Sequence, residues 1–120
     1  MAAENAVLEQ KLAALRHVFR DGLGGRMTEI DDAHQEFSMA DSDSASRAAV
    51  GKIQALSHKL VGTAGTFGFA PVGDAARDLE EVCVDLAGSV QAGDTEAMNR
   101  IENLVGALGR VVADALDEVD

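Results

Sequence analysis

Apolar residues recur at steps of three and four through almost the whole chain, the spacing of one face of an α-helix. The first stretch runs from about Glu4 to Leu15, with Val7, Leu8, Leu12 and Leu15 on one side. The pattern continues through Val18, Phe19, Leu23, Met27, Ile30, His34 and Phe37. Gly22, Gly24 and Gly25 interrupt it, and each weakens a helix interior by up to about 1 kcal/mol relative to Ala. The spacing therefore predicts helix with an irregularity near these glycines, as one element or as two. Asp41-Ser42-Asp43-Ser44 is short, polar and rich in capping residues, which reads as a loop ending at an N-cap.

Another apolar pattern spans about Ser44 to Phe67. Gly68 then supplies a helix stop, and Pro71 sits where a first-turn proline starts the next helix. That helix carries Val72, Ala75, Ala76, Leu79, Val82, Cys83, Leu86 and Val90. Gly93-Asp94 forms a turn with Asp94 as N-cap. The last helix uses Met98, Ile101, Leu104, Val105, Leu108, Val111, Val112, Leu116 and Val119. Short connections force neighbouring helices to run antiparallel. The expectation is an all-α, antiparallel up-down four-helix bundle with an amino-terminal helical extension, one domain over residues 1–120.

Composition narrows the function classes. The 120 residues hold ten Lys plus Arg against 21 Asp plus Glu, a formal charge of −11. With no basic patch, nucleic acid and anionic lipid are poor partners. No apolar run reaches the roughly 18 to 20 residues of a membrane span, and no basic cluster precedes an apolar stretch as in a secretory leader. Cys83 is the only cysteine, so no disulfide forms within the chain, and a reducing, cytoplasmic compartment is expected. Nothing in the pattern asks for an obligate dimer, so a monomer is expected. No phosphate-binding glycine loop, dinucleotide fingerprint or Ser–His–Asp set is present. Without an ATP site the chain is not expected to be an enzyme in its own right. Glu29, Asp32 and His34 lack the Glu-x-x-His spacing of a metal-binding bundle, so no metal site is expected. His17 and His34 read as residues at the edge of the apolar stripe, and Cys83 as a small core residue.

The helix around His58 has two contrasting faces. On a wheel advancing about 100° per residue, Ala49, Ile53, Leu56, Leu60, Ala64 and Phe67 lie opposite His58. That stripe makes a core and points His58 outward. Gly51, Ala55, Gly62 and Gly65 lie within about 60° of the histidine on the same wheel, with Gln54 close by. A solvated face would carry Lys, Glu and Arg there. Small residues around an exposed imidazole leave it open to another protein, and a neutral imidazole nitrogen is a competent nucleophile near pH 7. The bland alternative is a surface histidine beside helix-packing glycines.

The run His58-Lys59-Leu60-Val61-Gly62-Thr63-Ala64-Gly65-Thr66-Phe67-Gly68-Phe69 resembles the motif of histidine-containing phosphotransfer (HPt) domains. Their pattern is a His, an apolar residue two later, a Gly four later, small residues, and a Gly that ends the helix. Gly65-Thr66-Phe67-Gly68-Phe69 is closest to the phosphoacceptor domain of chemotaxis histidine kinases, and the similarity extends to Leu79-Glu80. The resemblance implies that His58 accepts a phosphoryl group through Nε2. It implies that Gly62 gives clearance one turn on, and that Glu80 accepts from Nδ1–H and so orients the ring. The family usually places Lys three residues after the His, where this chain has Val61. Lys59 is then the candidate for offsetting phosphate charge, against the plainer reading of a surface lysine.

The expected partners are a response-regulator receiver domain and a histidine kinase, either of which would supply the Mg²⁺. The docking face would comprise Gly51, Gln54, Ala55, Gly62 and Gly65 around His58, with Val61 and Phe69 at its rim. Two other readings stay open: a phosphoacceptor domain belonging to a larger chemotaxis-type kinase, and a helical adaptor that binds receivers without being phosphorylated.

Overall fold

The computed structural model describes residues 2–118. Four helices follow one another: α1 (Ala2–Met39), α2 (Asp43–Thr66), α3 (Ala70–Leu86) and α4 (Thr95–Asp117). Among the described residues there is no strand. Each helix packs against two others, α1 on α2 and α4, α3 on α2 and α4, which closes the ring of an antiparallel up-down bundle. Leu23 and Ile30 of α1, Ile53 and Leu60 of α2, Leu79 of α3, and Ile101 and Leu108 of α4 are fully buried between them. Each such side chain contributes roughly 1.5–3 kcal/mol through its removal from water. Ala33, Ala49, Ala64, Ala76 and Ala97 fill the space between.

The helix ends follow local chemistry. The Ser42 hydroxyl accepts from the backbone N–H of Ala45 at 3.1 Å and caps α2. Asp94 does the same for α4 through Ala97 N–H at 3.1 Å. Gly68 takes φ +80° just past α2, a conformation that any Cβ would strain. Pro71 lies in the first turn of α3, where its missing N–H costs nothing.

One open alternative closes and one expectation changes. Gly22, Gly24 and Gly25 do not break α1, which is one continuous 38-residue helix. Its carboxyl half packs on the bundle along Phe19, Leu23, Met27, Ile30, Ala33 and Phe37, and this burial outweighs three glycine penalties. The changed expectation is Val90, which lies beyond α3 rather than on it. The helix stops at Leu86, and Gly88 turns the chain with φ +80°. Val90 is nevertheless buried in the connection, its carbonyl accepting from Arg47 Nε at 3.2 Å. Val119 lies outside the described residues.

The amino-terminal extension is the first half of α1. Residues 2–18 are all exposed, and burial begins at Phe19. The molecule is 58 Å long, close to the span of α1 at about 1.5 Å per residue. Where α1 meets the bundle, the Phe19 ring lies 5.5 Å from Phe67 and 5.1 Å from Phe69, centroid to centroid. Arg16 lies over Phe69 and Arg26 over Phe19, at 5.6 and 5.7 Å. No helix among the described residues is long and apolar enough to cross a membrane.

Candidate functional site

The apolar stripe of α2 turns inward as its spacing predicts: Ala49, Ile53, Leu60 and Ala64 are buried, and Leu56 and Phe67 pack against the same core. The buried Ser57 hydroxyl donates to the Ile53 carbonyl at 2.7 Å, which satisfies it within its own helix. The next residue, His58, therefore emerges on the outer face, with 76% of its side chain exposed.

Across the helix pair, Glu80 of α3 is mostly covered, its side chain 20% exposed. Its Oε2 lies 2.5 Å from His58 Nδ1. A carboxylate only accepts, so Nδ1 donates its proton. In the neutral ring this leaves the lone pair on Nε2, which faces outward. The same carboxylate–imidazole arrangement orients histidines at metal and triad sites.

α3 comes close to α2 at Gly73, which sequence reasoning passed over. A Cβ built on Gly73 would lie 3.6 Å from the Ala64 Cβ and 3.8 Å from the Gly65 backbone N, leaving room for a methyl group and little more. Glu80 follows two turns later on the same face of α3, which faces α2. A single buried glycine adds nothing to the periodicity, and so left no mark in the pattern.

Gly51, Gly62 and Gly65 differ from Gly73. All three are exposed, and a Cβ on any of them would meet no atom within 4 Å. They are not needed for packing within this chain, so the reading of them as helix-packing glycines falls away. Gly51, Gln54 and Ala55 line a shallow open depression with His58 and Glu80. Small residues thus lie one and two turns on either side of the imidazole on this face: Gly51, Ala55, Gly62 and Gly65.

Three sequence-derived assignments look different in place. Phe69 does not sit at a docking rim, because its ring is buried against Phe19. The Phe69 N–H donates to the Ala64 carbonyl at 2.9 Å, which folds the residue back under the end of α2. Val61 is half-buried and packs on the core, so it offers little free apolar surface. Lys59 is exposed and borders a narrow cleft with Arg26, Glu29 and Leu56, on the α1 flank of α2 rather than in the depression beside His58.

Cys83 lies one turn beyond Glu80 and is fully buried. Burial, with a smaller contribution from the Glu80 charge, pushes its thiol up to about 12. A thiol held neutral in this way is a poor nucleophile and metal ligand. His34 is half-buried and His17 exposed, and among the described residues no group of three or more His, Cys, Asp or Glu could hold a metal ion.

The Hpt domain family model matches residues 8–119 of the chain. No curated protein and no solved structure matches it.

Proposed function

The chain belongs to the Hpt domain family, which carries phosphoryl groups on histidine in phosphorelays, and on that premise we propose that His58 is its phosphoacceptor. The observation that supports this most is the Glu80–His58 contact at 2.5 Å on an otherwise exposed ring. It holds Nδ1 protonated and leaves Nε2 free to attack.

The chemistry needs little from this chain beyond position. Nε2 approaches the phosphorus of an aspartyl phosphate in line with the acyl oxygen. An N–P bond forms, the P–O bond breaks, and the aspartate leaves as a carboxylate. No proton has to depart. The ring becomes cationic while Nδ1–H stays on Glu80, whose negative charge offsets it. Transfer onward to another receiver aspartate reverses the same step. Transfer from a kinase replaces the acyl oxygen by the terminal bridging oxygen of ATP, with ADP leaving. The Mg²⁺ belongs to the partner's site. In-line approach requires clearance around the imidazole, which Gly51, Ala55, Gly62 and Gly65 leave. Gln54 borders this clearing, and Lys59 is the local cation for testing phosphate compensation.

The partners under this reading are a receiver domain and a histidine kinase in the cytoplasm. Incubating the chain with a phosphorylated receiver tests it against the adaptor alternative. Wild type is expected to drain the receiver's label, whereas His58→Gln binds the receiver and leaves the label in place. Binding without transfer by wild type would favour the adaptor. Membership of a larger kinase chain leaves the chemistry at His58 unchanged.

A further inference from the structure

A phosphoryl group on Nε2 of His58 would add up to about two negative charges beside the Glu80 carboxylate, in a chain whose formal charge is already −11. A cation within reach would offset that repulsion, and the ten Lys and Arg residues sort by position. Glu80 holds Nδ1 from the α3 side of His58. Lys52 pairs with Glu36 of α1 at 2.8 Å, and Lys59 borders the cleft with Arg26 and Glu29, so both lie on the opposite flank of α2. Lys11, Arg16 and Arg20 also belong to α1, which packs on α2 and α4 but not on α3. Arg47 is held by the Val90 carbonyl, about three turns before His58. Arg100 and Arg110 are on α4, diagonal to α2. That leaves Arg77 of α3.

Gly73, Arg77 and Glu80 fall within about 60° of one another on a helical wheel. A Cβ on Gly73 would lie 3.8 Å from the Gly65 N and 3.9 Å from the Val61 carbonyl oxygen, and Glu80 meets His58. With the two helices antiparallel, these contacts place Arg77 level with the turn of α2 between them, at Val61 and Gly62. It stands about one turn from Glu80, within the span of an extended arginine side chain. Gly62 keeps the way open, since a Cβ there would meet nothing within 4 Å. The Arg77 side chain is 58% exposed, and its Nη1 lies 3.8 Å from Oδ1 of Asp74, itself 76% exposed. So long and exposed an ion pair contributes little and gives way readily to a doubly charged group with three acceptor oxygens.

We propose that Arg77 is the phosphate-binding cation of this site. The inference rests on the reading of His58 as phosphoacceptor. When Nε2 carries the phosphoryl group, the guanidinium leaves Asp74 and donates from its planar fork to two phosphoryl oxygens. Glu80 then holds the ring from Nδ1 while Arg77 holds the phosphoryl group, and both come from one face of α3.

Phosphoramidate tests this on the full chain without any partner: Nε2 attacks phosphorus, an N–P bond forms, and the donor's own P–N bond breaks as ammonia leaves. In proton–nitrogen NMR the Arg77 Nε–H signal should move downfield on phosphorylation and exchange more slowly with water, with neither change in His58→Gln. Arg77→Gln should slow labelling of His58 about three- to tenfold, the scale of one exposed charge-assisted contact. Arg77→Lys should fall between, since lysine keeps the charge but not the fork, and Lys59→Gln should slow labelling less than Arg77→Gln. Arg77 is exposed, so its variants should keep the wild-type melting temperature. A labelled His58 with an unmoved Arg77 signal, undiminished labelling of Arg77→Gln, or a greater loss in Lys59→Gln would overturn this inference and leave His58 as the phosphoacceptor. No label at His58 from phosphoramidate or from a phosphorylated receiver would overturn both.

Discussion

Oε2 of Glu80 lies 2.5 Å from Nδ1 of His58, yet the imidazole remains 76% exposed. The contact orients the ring without burying it. Removing the carboxylate should therefore change the tautomer and the reactivity of His58 while leaving the fold intact. Glu80→Ala is expected to lower the rate of phosphotransfer about 10- to 100-fold, the usual loss when a carboxylate behind a histidine is removed. Nitrogen NMR of the ring should show Nδ1–H predominating in wild type and a shift toward Nε2–H in the variant. Unchanged tautomer populations and rate would remove Glu80 from its orienting role.

The glycines of the proposed docking face should separate stability from function. A side chain on Gly62 meets nothing in this chain, so Gly62→Gln should raise helix stability by up to about 1 kcal/mol through propensity alone. The melting temperature is expected to rise by a few degrees while transfer to a receiver falls at least tenfold. Gly65→Gln should behave alike. Transfer that survives these substitutions would mean that the partner does not approach over this face.

Phe69 should show the opposite profile. Its ring is buried with Phe19 under the end of α2, so Phe69→Ala is expected to cost about 3–5 kcal/mol in stability. Measured below its lowered melting temperature, the variant should bind a receiver with wild-type affinity. A variant of full stability and weakened binding would restore the ring to the interface.

Cys83 gives a pH dependence with a definite sign. Its folded pKa is raised, from near 9 to about 12, so folding favours the neutral thiol. That contribution is complete below pH 9 and is lost as pH rises toward 12, where the unfolded chain gains a thiolate that the folded one resists. The loss has a limiting slope of about 1.4 kcal/mol per pH unit. Urea unfolding of wild type and Cys83→Ala between pH 8 and 11 should show the steeper decline in wild type. Parallel declines would place the thiol in contact with water.

Much of this architecture is legible in the residues because local chemistry and burial agree. Asp94 caps α4, Gly68 stops α2 and Pro71 opens α3 where their backbone preferences put them. The continuity of α1 is not legible, since three glycines speak against it locally and only packing with α2 and α4 overrides them. Phe69 misleads because an apolar residue in a short connection can point either way. Its backbone bond to Ala64 turns it inward. His58 stands out on its wheel, whereas Glu80 does not. Only the motif connects them, because their proximity depends on how α3 packs against α2, which no periodicity encodes.

The central claim is that Nε2 of His58 carries the phosphoryl group. After phosphorylation by a cognate kinase or phospho-receiver, proton–nitrogen–phosphorus NMR of the intact chain tests it most directly. The account predicts one acid-labile, base-stable phosphoryl group coupled to Nε2 of His58, Nδ1–H retained, and no label in His58→Gln. Phosphorus on Nδ1, label at His17 or His34, or undiminished labelling of His58→Gln would contradict it.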